Sequence, residues 1–392
     1  MVPISLQQVD AILRERVYPA DTETVPLEEC RGRILRTDLR ADRDFPPFSR
    51  SCMDGYALQG NGGASSPERF SVVREQAAGV PEGAPVGRGE AVRISTGAIV
   101  PTGCDRVVPK ESAEVDEDGA LRVEADPGPG GFIHPQGSDA RRGEVLVSAG
   151  TVLTPAVIAV AATIGKSVLP VAARPRLGIL ATGREIVPVG DSPEPHQIRT
   201  SNGPYLQALL EQNGFSAELR LVGDEPAEIR RALLELRQNC SVILTTGGVS
   251  VGAHDFLPGL FQELGAECWF HGVRQKPGKP LWAGACPGGP YFFGLPGNPA
   301  STALCVVRHV LPWLKRSEGL AEQPQEFSLA AARANDLPLS RFFPARSESG
   351  RVIPFDLNTS GDFLPLLKAD GWIEVPAKTS LQTGDKVAYF PL

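Results

Sequence analysis

The sequence predicts a multidomain α/β protein: a doubly wound domain, an inserted β domain, a helical domain and a C-terminal β barrel. Three observations carry this. Residues 176–245 alternate β-branched apolar runs with helical patterns, the order that gives a parallel sheet covered by helices on both faces. Residues 42–140 break into short β-like runs between glycine and proline clusters. At 392 residues the chain exceeds a single core, since ~100–200 residues per domain is usual. The expected domains are 1–41 with 141–174 (helical), 42–140 (inserted β), 175–318 (doubly wound) and 319–392 (barrel).

At the N-terminus, Ser5-Leu6-Gln7-Gln8 has the form of a capping box. Leu6, Val9, Ile12 or Leu13, and Val17 recur at helical spacing, so residues 5–17 read as an amphipathic helix ending before Pro19. Leu27, Ile34, Leu35 and Leu39 predict a second helix over 26–39, docked on the first. The β-like runs follow at 70–74, 91–95, 106–109 and 121–124, after an Asp54-Gly55 pair that by itself reads as a hairpin turn. Apolar, helix-favouring sequence returns around 155–164, and Arg174-Pro175 marks a boundary. Beyond it come strand 176–181, helix 203–213, strand 217–222, helix 226–238 and strand 241–245. A helix at 300–315 closes this domain, and runs within 345–354, 371–375 and 386–390 predict the barrel strands.

Composition narrows the function. The net charge of −7, with both signs spread along the chain, argues against a nucleic-acid or membrane surface, so any anion site must be locally basic. Seven scattered cysteines form no C-x-x-C pair, which disfavours a disulfide framework or zinc site and predicts reduced, mostly buried thiols. The longest apolar run, 152–164, contains Pro155 and falls short of the ~20 residues of a membrane span. Without an N-terminal signal pattern, the expected location is the cytoplasm.

The chemistry concentrates between Cys240 and Ser301. An apolar strand runs into Thr246-Gly247-Gly248-Val249-Ser250-Val251-Gly252, and two further turn-forming loops follow: Lys276-Pro277-Gly278-Lys279-Pro280 and Leu295-Pro296-Gly297-Asn298-Pro299. In an open α/β sheet such loops share the crevice beyond the strand ends, where bare N–H groups meet anions. Lys276 and Lys279 add positive charge, which points to a phosphorylated ligand. Glu185, Asp224 and Asp255 fall near the ends of three strands, where carboxylates beside phosphates commonly hold Mg²⁺. Blander readings exist for each: ordinary turns for the glycines, a solvated turn for the lysines, a helix cap for Asp224. No P-loop and no dinucleotide fingerprint is present. His134, His196, His254 and His309 read as surface or core histidines, and no Ser-His-Asp arrangement emerges. The remaining chemistry is metal-assisted phosphoryl or anhydride work in a cleft.

These residues resemble the MoeA-type molybdopterin molybdenumtransferases, the family that includes the E domain of gephyrin. The likeness spans nearly the full length. It rests on Ser51-Cys52-Met53-Asp54-Gly55-Tyr56-Ala57, Ser95-Thr96-Gly97, Val100-Pro101-Thr102-Gly103-Cys104-Asp105, the glycine loop with Asp255, the paired-lysine loop and Leu295-Pro296-Gly297-Asn298-Pro299. The resemblance implies insertion of molybdenum from molybdate into adenylylated molybdopterin with Mg²⁺, releasing AMP. It also implies a homodimer whose cleft joins one subunit's doubly wound domain to its partner's β insertion, and an upstream molybdopterin adenylyltransferase. Catalytic roles carry over to Asp54, Thr96, Asp139, Lys276 and Lys279, and metal roles to Glu185, Asp224 and Asp255. Ligand binding carries over to Gly247, Gly248, Ser250, Gly252, Pro296, Gly297, Asn298 and Pro299.

The chain departs from the family pattern at several positions. His134-Pro135-Gln136-Gly137-Ser138-Asp139 stands where an arginine-rich run ending Gly-Glu-Asp is usual. Arg184 replaces an aspartate before Glu185, Thr200 replaces an aspartate before Ser201-Asn202, and the paired serines of the C-terminal domain are replaced near Leu364-Pro365-Leu366. These losses raise an alternative, a catalytically impaired paralogue that binds or stores molybdopterin. An interaction scaffold like the gephyrin branch is a third reading, without a long linker or extra domain to support it.

Overall fold

The computed structural model describes residues 2–60, 69–249, 256–320 and 323–392. The chain forms two compact units, one of Met1–Glu23 with Val171–Leu392 and one of Thr24–Pro170.

The first unit is built on a six-stranded sheet in the order Ala217–Val222, Leu177–Thr182, Val242–Thr246, Tyr291–Leu295, Trp282–Ala285, Glu267–His271. The first four strands are parallel; Trp282–Ala285 runs antiparallel to them, and Glu267–His271, antiparallel to it in turn, runs in their direction again. Side chains alternate across a strand, and the packing follows that period. Leu177, Ile179, Val242 and Leu244 pack on one face with Leu206, Leu209 and Leu210 of helix Asn202–Gln212. Leu180 and Ile243 pack on the other with Ile229, Leu233 and Leu236 of helix Pro226–Asn239. Helices on both faces leave the carboxyl ends of the parallel strands as the open rim.

The N-terminal helix, Leu6–Glu15, starts at the expected capping box: Ser5 Oγ accepts from the Gln8 amide at 3.2 Å and Gln8 Oε1 accepts from the Ser5 amide at 2.9 Å. It buries Leu6, Val9 and Leu13 in the core that holds Leu304, Val307 and Leu311, roughly 1.5–3 kcal/mol for each such side chain. The closing helix runs from Pro299–Cys305 through a π turn at Val306–Val310 to Leu311–Ser317. Pro312 has no N–H to offer the Arg308 carbonyl, and the turn widens just before it. The C-terminal strands close a five-stranded barrel in the ring order Ser340–Glu348, Arg351–Pro354, Gln325–Leu329, Lys386–Pro391, Gly371–Val375. Leu329, Phe343, Val352, Ile373 and Tyr389 fill it.

The second unit carries a six-stranded sheet in the order Arg106–Pro109, Gly55–Leu58, Glu90–Ile94, Arg69–Gln76, Ala120–Val123, Ala113–Val115. Helix Pro155–Thr163 begins at Thr154, whose hydroxyl accepts from the Val157 amide at 3.4 Å. The helix expected over 26–39 is not formed. Only a 3₁₀ turn, Leu27–Glu29, follows Pro26, and Gly32 then turns the chain with φ +73°. The Gly32 and Leu35 amides donate to the Leu153 and Thr151 carbonyls at 2.9 and 3.0 Å, and Ile34 bridges Val152. A partner distant in sequence takes the backbone hydrogen bonds that a helix would have kept to itself. Among the described residues no helix is long and apolar enough to cross a membrane. The seven cysteines are free, four of them buried.

Candidate active site

Strand Val242–Thr246 delivers Gly247 to the rim with φ +93°. A Cβ there would stand 2.5 Å from the Thr182 carbonyl oxygen, so the close approach of two strand ends requires glycine. Asn202, the first residue of its helix, stitches the rim together: its Nδ2 donates to Thr246 Oγ1 at 2.8 Å and to the Gly297 carbonyl at 2.7 Å. The Thr302 hydroxyl donates to the Pro296 carbonyl, fixing the second glycine loop from below.

The paired-lysine turn faces these loops. Pro277 and Gly278 are buried while Lys276 and Lys279 remain exposed, so the turn is held by its centre and presents its two cations. Together the loops enclose a cavity of about 810 Å³. Gly247, Gly248, Lys276 and Lys279 line it, as do Pro296, Gly297 and Asn298, with Glu185 exposed at the margin. Pro299 instead opens the closing helix and lines a smaller adjoining cavity of about 60 Å³, shared with Glu185, Thr200 and Asn202.

Asp224 lies between strand Ala217–Val222 and the helix that starts at Pro226, and it lines neither cavity. Ser250, Gly252 and Asp255 lie outside the described residues. Arg184 also stays out of both cavities, 3.9 Å from Glu225 on an exposed surface where such a pair contributes little.

Sequence reasoning missed the far wall. Gln275–Lys276 pairs in parallel with Ser340–Arg341, and this long-range pairing brings Arg341 into the cavity as a third cation. Its guanidinium stacks 4.5 Å from the centre of the Phe343 ring, which orients it without neutralising it. Thr359 and Ser360 supply hydroxyls, and Ser360 Oγ accepts from Asn298 Nδ2 at 2.7 Å. Two lysines, an arginine, hydroxyls and a bare glycine backbone suit an oxyanion-rich ligand.

The remaining expected residues form two clusters within the second unit. Asp54 Oδ1 accepts from Thr96, and the backbone amide, then the hydroxyl, hold its carboxyl below the usual range. Asp139 accepts from His134 Nε2 at 2.7 Å and from Ser138 Oγ at 3.3 Å. The His134 bond, with lesser help from the Ser138 hydroxyl and the Arg50 charge, lowers the Asp139 pKa. Arg50 donates to His134 Nδ1 from Nε at 3.3 Å, which leaves the imidazole proton on Nε2, toward Asp139. His134, which the sequence reads as a surface or core histidine, is therefore part of this cluster.

Comparison with known proteins agrees along the whole chain. Residues 4–165 match the model of the MoeA N-terminal region (domain I and II), residues 178–316 that of a probable molybdopterin binding domain, and residues 327–392 that of the MoeA C-terminal region (domain IV). A molybdopterin molybdenumtransferase of Synechocystis is 30% identical over 94% of this chain and 94% of its own length. One from Bacillus subtilis is 34% identical over 92% of this chain and 87% of its own. The crystal structure of a molybdopterin biosynthesis MoeA protein from Pyrococcus horikosii is 28% identical, with a TM-score of 0.84 over 100% of this chain and 99% of that one.

Proposed function

Because the chain belongs to the MoeA family of molybdopterin molybdenumtransferases and so serves molybdenum cofactor biosynthesis, we propose that its 810 Å³ cavity binds adenylylated molybdopterin and molybdate and exchanges them for molybdenum cofactor and AMP. The observation that carries this reading is the convergence of Lys276, Lys279 and Arg341 on one cavity whose glycine wall lies in the segment matched as a molybdopterin binding domain.

Lys276, Lys279 and Arg341 offset the charge of the pyrophosphate link and of molybdate, bringing two anions together that repel in water. Gly247 and Gly248 let the ligand approach the backbone, and the hydroxyls of Thr359 and Ser360 orient oxyanion groups. Mg²⁺ usually takes one or two carboxylates together with substrate phosphates. The exposed Glu185 carboxylate at the cavity margin fits that pattern, with Asp224 and Asp255 the further ligands of the reading. Mg²⁺ bound there would polarise the phosphoanhydride.

Asp54, Thr96 and Asp139 enter this reading through a second copy of the chain, whose β insertion completes the cleft in a homodimer. The substrate arrives from an enzyme that adenylylates molybdopterin, and the reaction takes place in the cytoplasm. Purified protein given adenylylated molybdopterin, Mg²⁺ and molybdate is expected to release AMP in step with cofactor formation. Absence of AMP at every molybdate concentration rejects the proposal.

A further inference from the structure

Gln275 stands immediately before Lys276, is fully buried and touches the large cavity. Its amide nitrogen lies 3.1 Å from the Gly278 carbonyl oxygen and 3.6 Å from Cys305 Sγ, and its oxygen lies 2.9 Å from His309 Nε2. A carbonyl only accepts, so the NH₂ of Gln275 must face Gly278. The amide oxygen then needs a donor, and His309 must carry its proton on Nε2. That leaves Nδ1 bare, and Nδ1 has no hydrogen-bond partner among the described residues.

The surroundings support this assignment. His309 is 1% exposed, and burial, helped by the adjacent Arg308, holds its pKa well below the usual imidazole value, so the ring is neutral. Burial pushes the Cys305 thiol up, and its S–H donates to the Gly278 carbonyl at 3.5 Å. Gly278 has φ +83°, and a Cβ there would meet Cys305 Sγ at 2.7 Å and Gln275 Nε2 at 2.8 Å. The turn is closed down on the amide that holds it. His309 sits in the π turn Val306–Val310, a local widening of the kind often found at functional sites.

We propose that Gln275, oriented by His309, is a positioning residue that clamps the Lys276-Pro277-Gly278-Lys279 turn and so sets where the two ammonium groups stand in the cavity. The kinetic consequence rests on the transferase reading, whereas the clamp does not. Displacing a binding group by about 1 Å costs up to about a hundredfold in rate.

The test combines two readouts. In ¹⁵N-histidine spectra His309 is expected as a neutral imidazole protonated on Nε2, with its signals altered in Gln275→Met. Hydrogen exchange over residues 273–280 is expected to quicken about tenfold in Gln275→Met and His309→Met at unchanged Tm. AMP release falls roughly ten- to hundredfold in both variants. His309→Gln, whose amide nitrogen reaches the place of Nε2, restores most of the loss seen in His309→Met. A proton on Nδ1, or exchange and turnover unmoved by Gln275→Met, overturns the clamp. A wild-type protein that releases no AMP while the exchange difference holds refutes the transferase reading alone.

Discussion

Asp54 Oδ1 accepts two hydrogen bonds from one residue, the Thr96 amide at 2.7 Å and the Thr96 hydroxyl at 2.8 Å. The pair ties the turn before strand Gly55–Leu58 to the turn after strand Glu90–Ile94, so two separate motifs of the sequence become one group. A carboxyl whose folded pKa lies below its unfolded value of ~3.9 adds stability above that value, and the gain disappears as pH falls through the folded pKa. Thr96→Val removes the hydroxyl donor and keeps the amide. The Asp54 pKa, followed by ¹³C carboxyl titration, is expected to rise part of the way toward ~3.9. An unchanged value would show that the hydroxyl bond contributes nothing.

Gly247→Ala tests the backbone approach at the rim. Its φ of +93° and the 2.5 Å encounter with the Thr182 carbonyl predict strain of about 1–3 kcal/mol and a widened rim. Chemical denaturation is expected to show the stability loss, and titration with molybdopterin a weaker Kd. Wild-type values for both would mean that the rim tolerates a side chain.

Arg174→Met removes one partner of an ion pair outside the site, along with the guanidinium's contacts to the Gly214 carbonyl and the Phe215 ring. The pair itself is therefore read from the double-variant cycle. Arg174 Nε donates to Glu318 Oε1 at 2.7 Å, and the Glu318 side chain is only 2% exposed. Losing the arginine leaves a buried carboxylate without its ion-pair partner, at a cost of about 3–5 kcal/mol. Urea unfolding of Arg174→Met, Glu318→Gln and the double variant is expected to be non-additive, with the double variant less destabilised than the sum. Additive losses would separate the two residues energetically.

Much of the first unit was legible because its strands and helices carry their own period. Leu177, Ile179, Val242 and Leu244 alternate with the residues of the opposite face, and Pro204 and Gly214 bracket a helix by local chemistry alone. Residues 26–39 misled because Leu27, Ile34, Leu35 and Leu39 suit a helix as well as a strand, and the deciding partner, Thr151–Leu153, is distant in sequence. The same distinction divides the site. Lys276, Lys279, Gly247 and Gly297 announce themselves by turn chemistry, whereas Arg341, Thr359 and Ser360 reach the cavity only through packing of the barrel. His134 offered no local pattern, and only the folded loop brings it to Asp139.

The most direct measurement is calorimetric titration of adenylylated molybdopterin into the wild-type protein, Lys276→Met and Lys279→Met, at low and at high salt. Hydrogen bonds to charged groups contribute about 1.5–3 kcal/mol each. The expected result is saturable binding to the wild type that weakens with salt, and a loss of roughly ten- to a hundredfold in affinity for each variant. Equal affinity in all three proteins, insensitive to salt, would contradict a lysine-lined anion cavity as the site of molybdenum transfer.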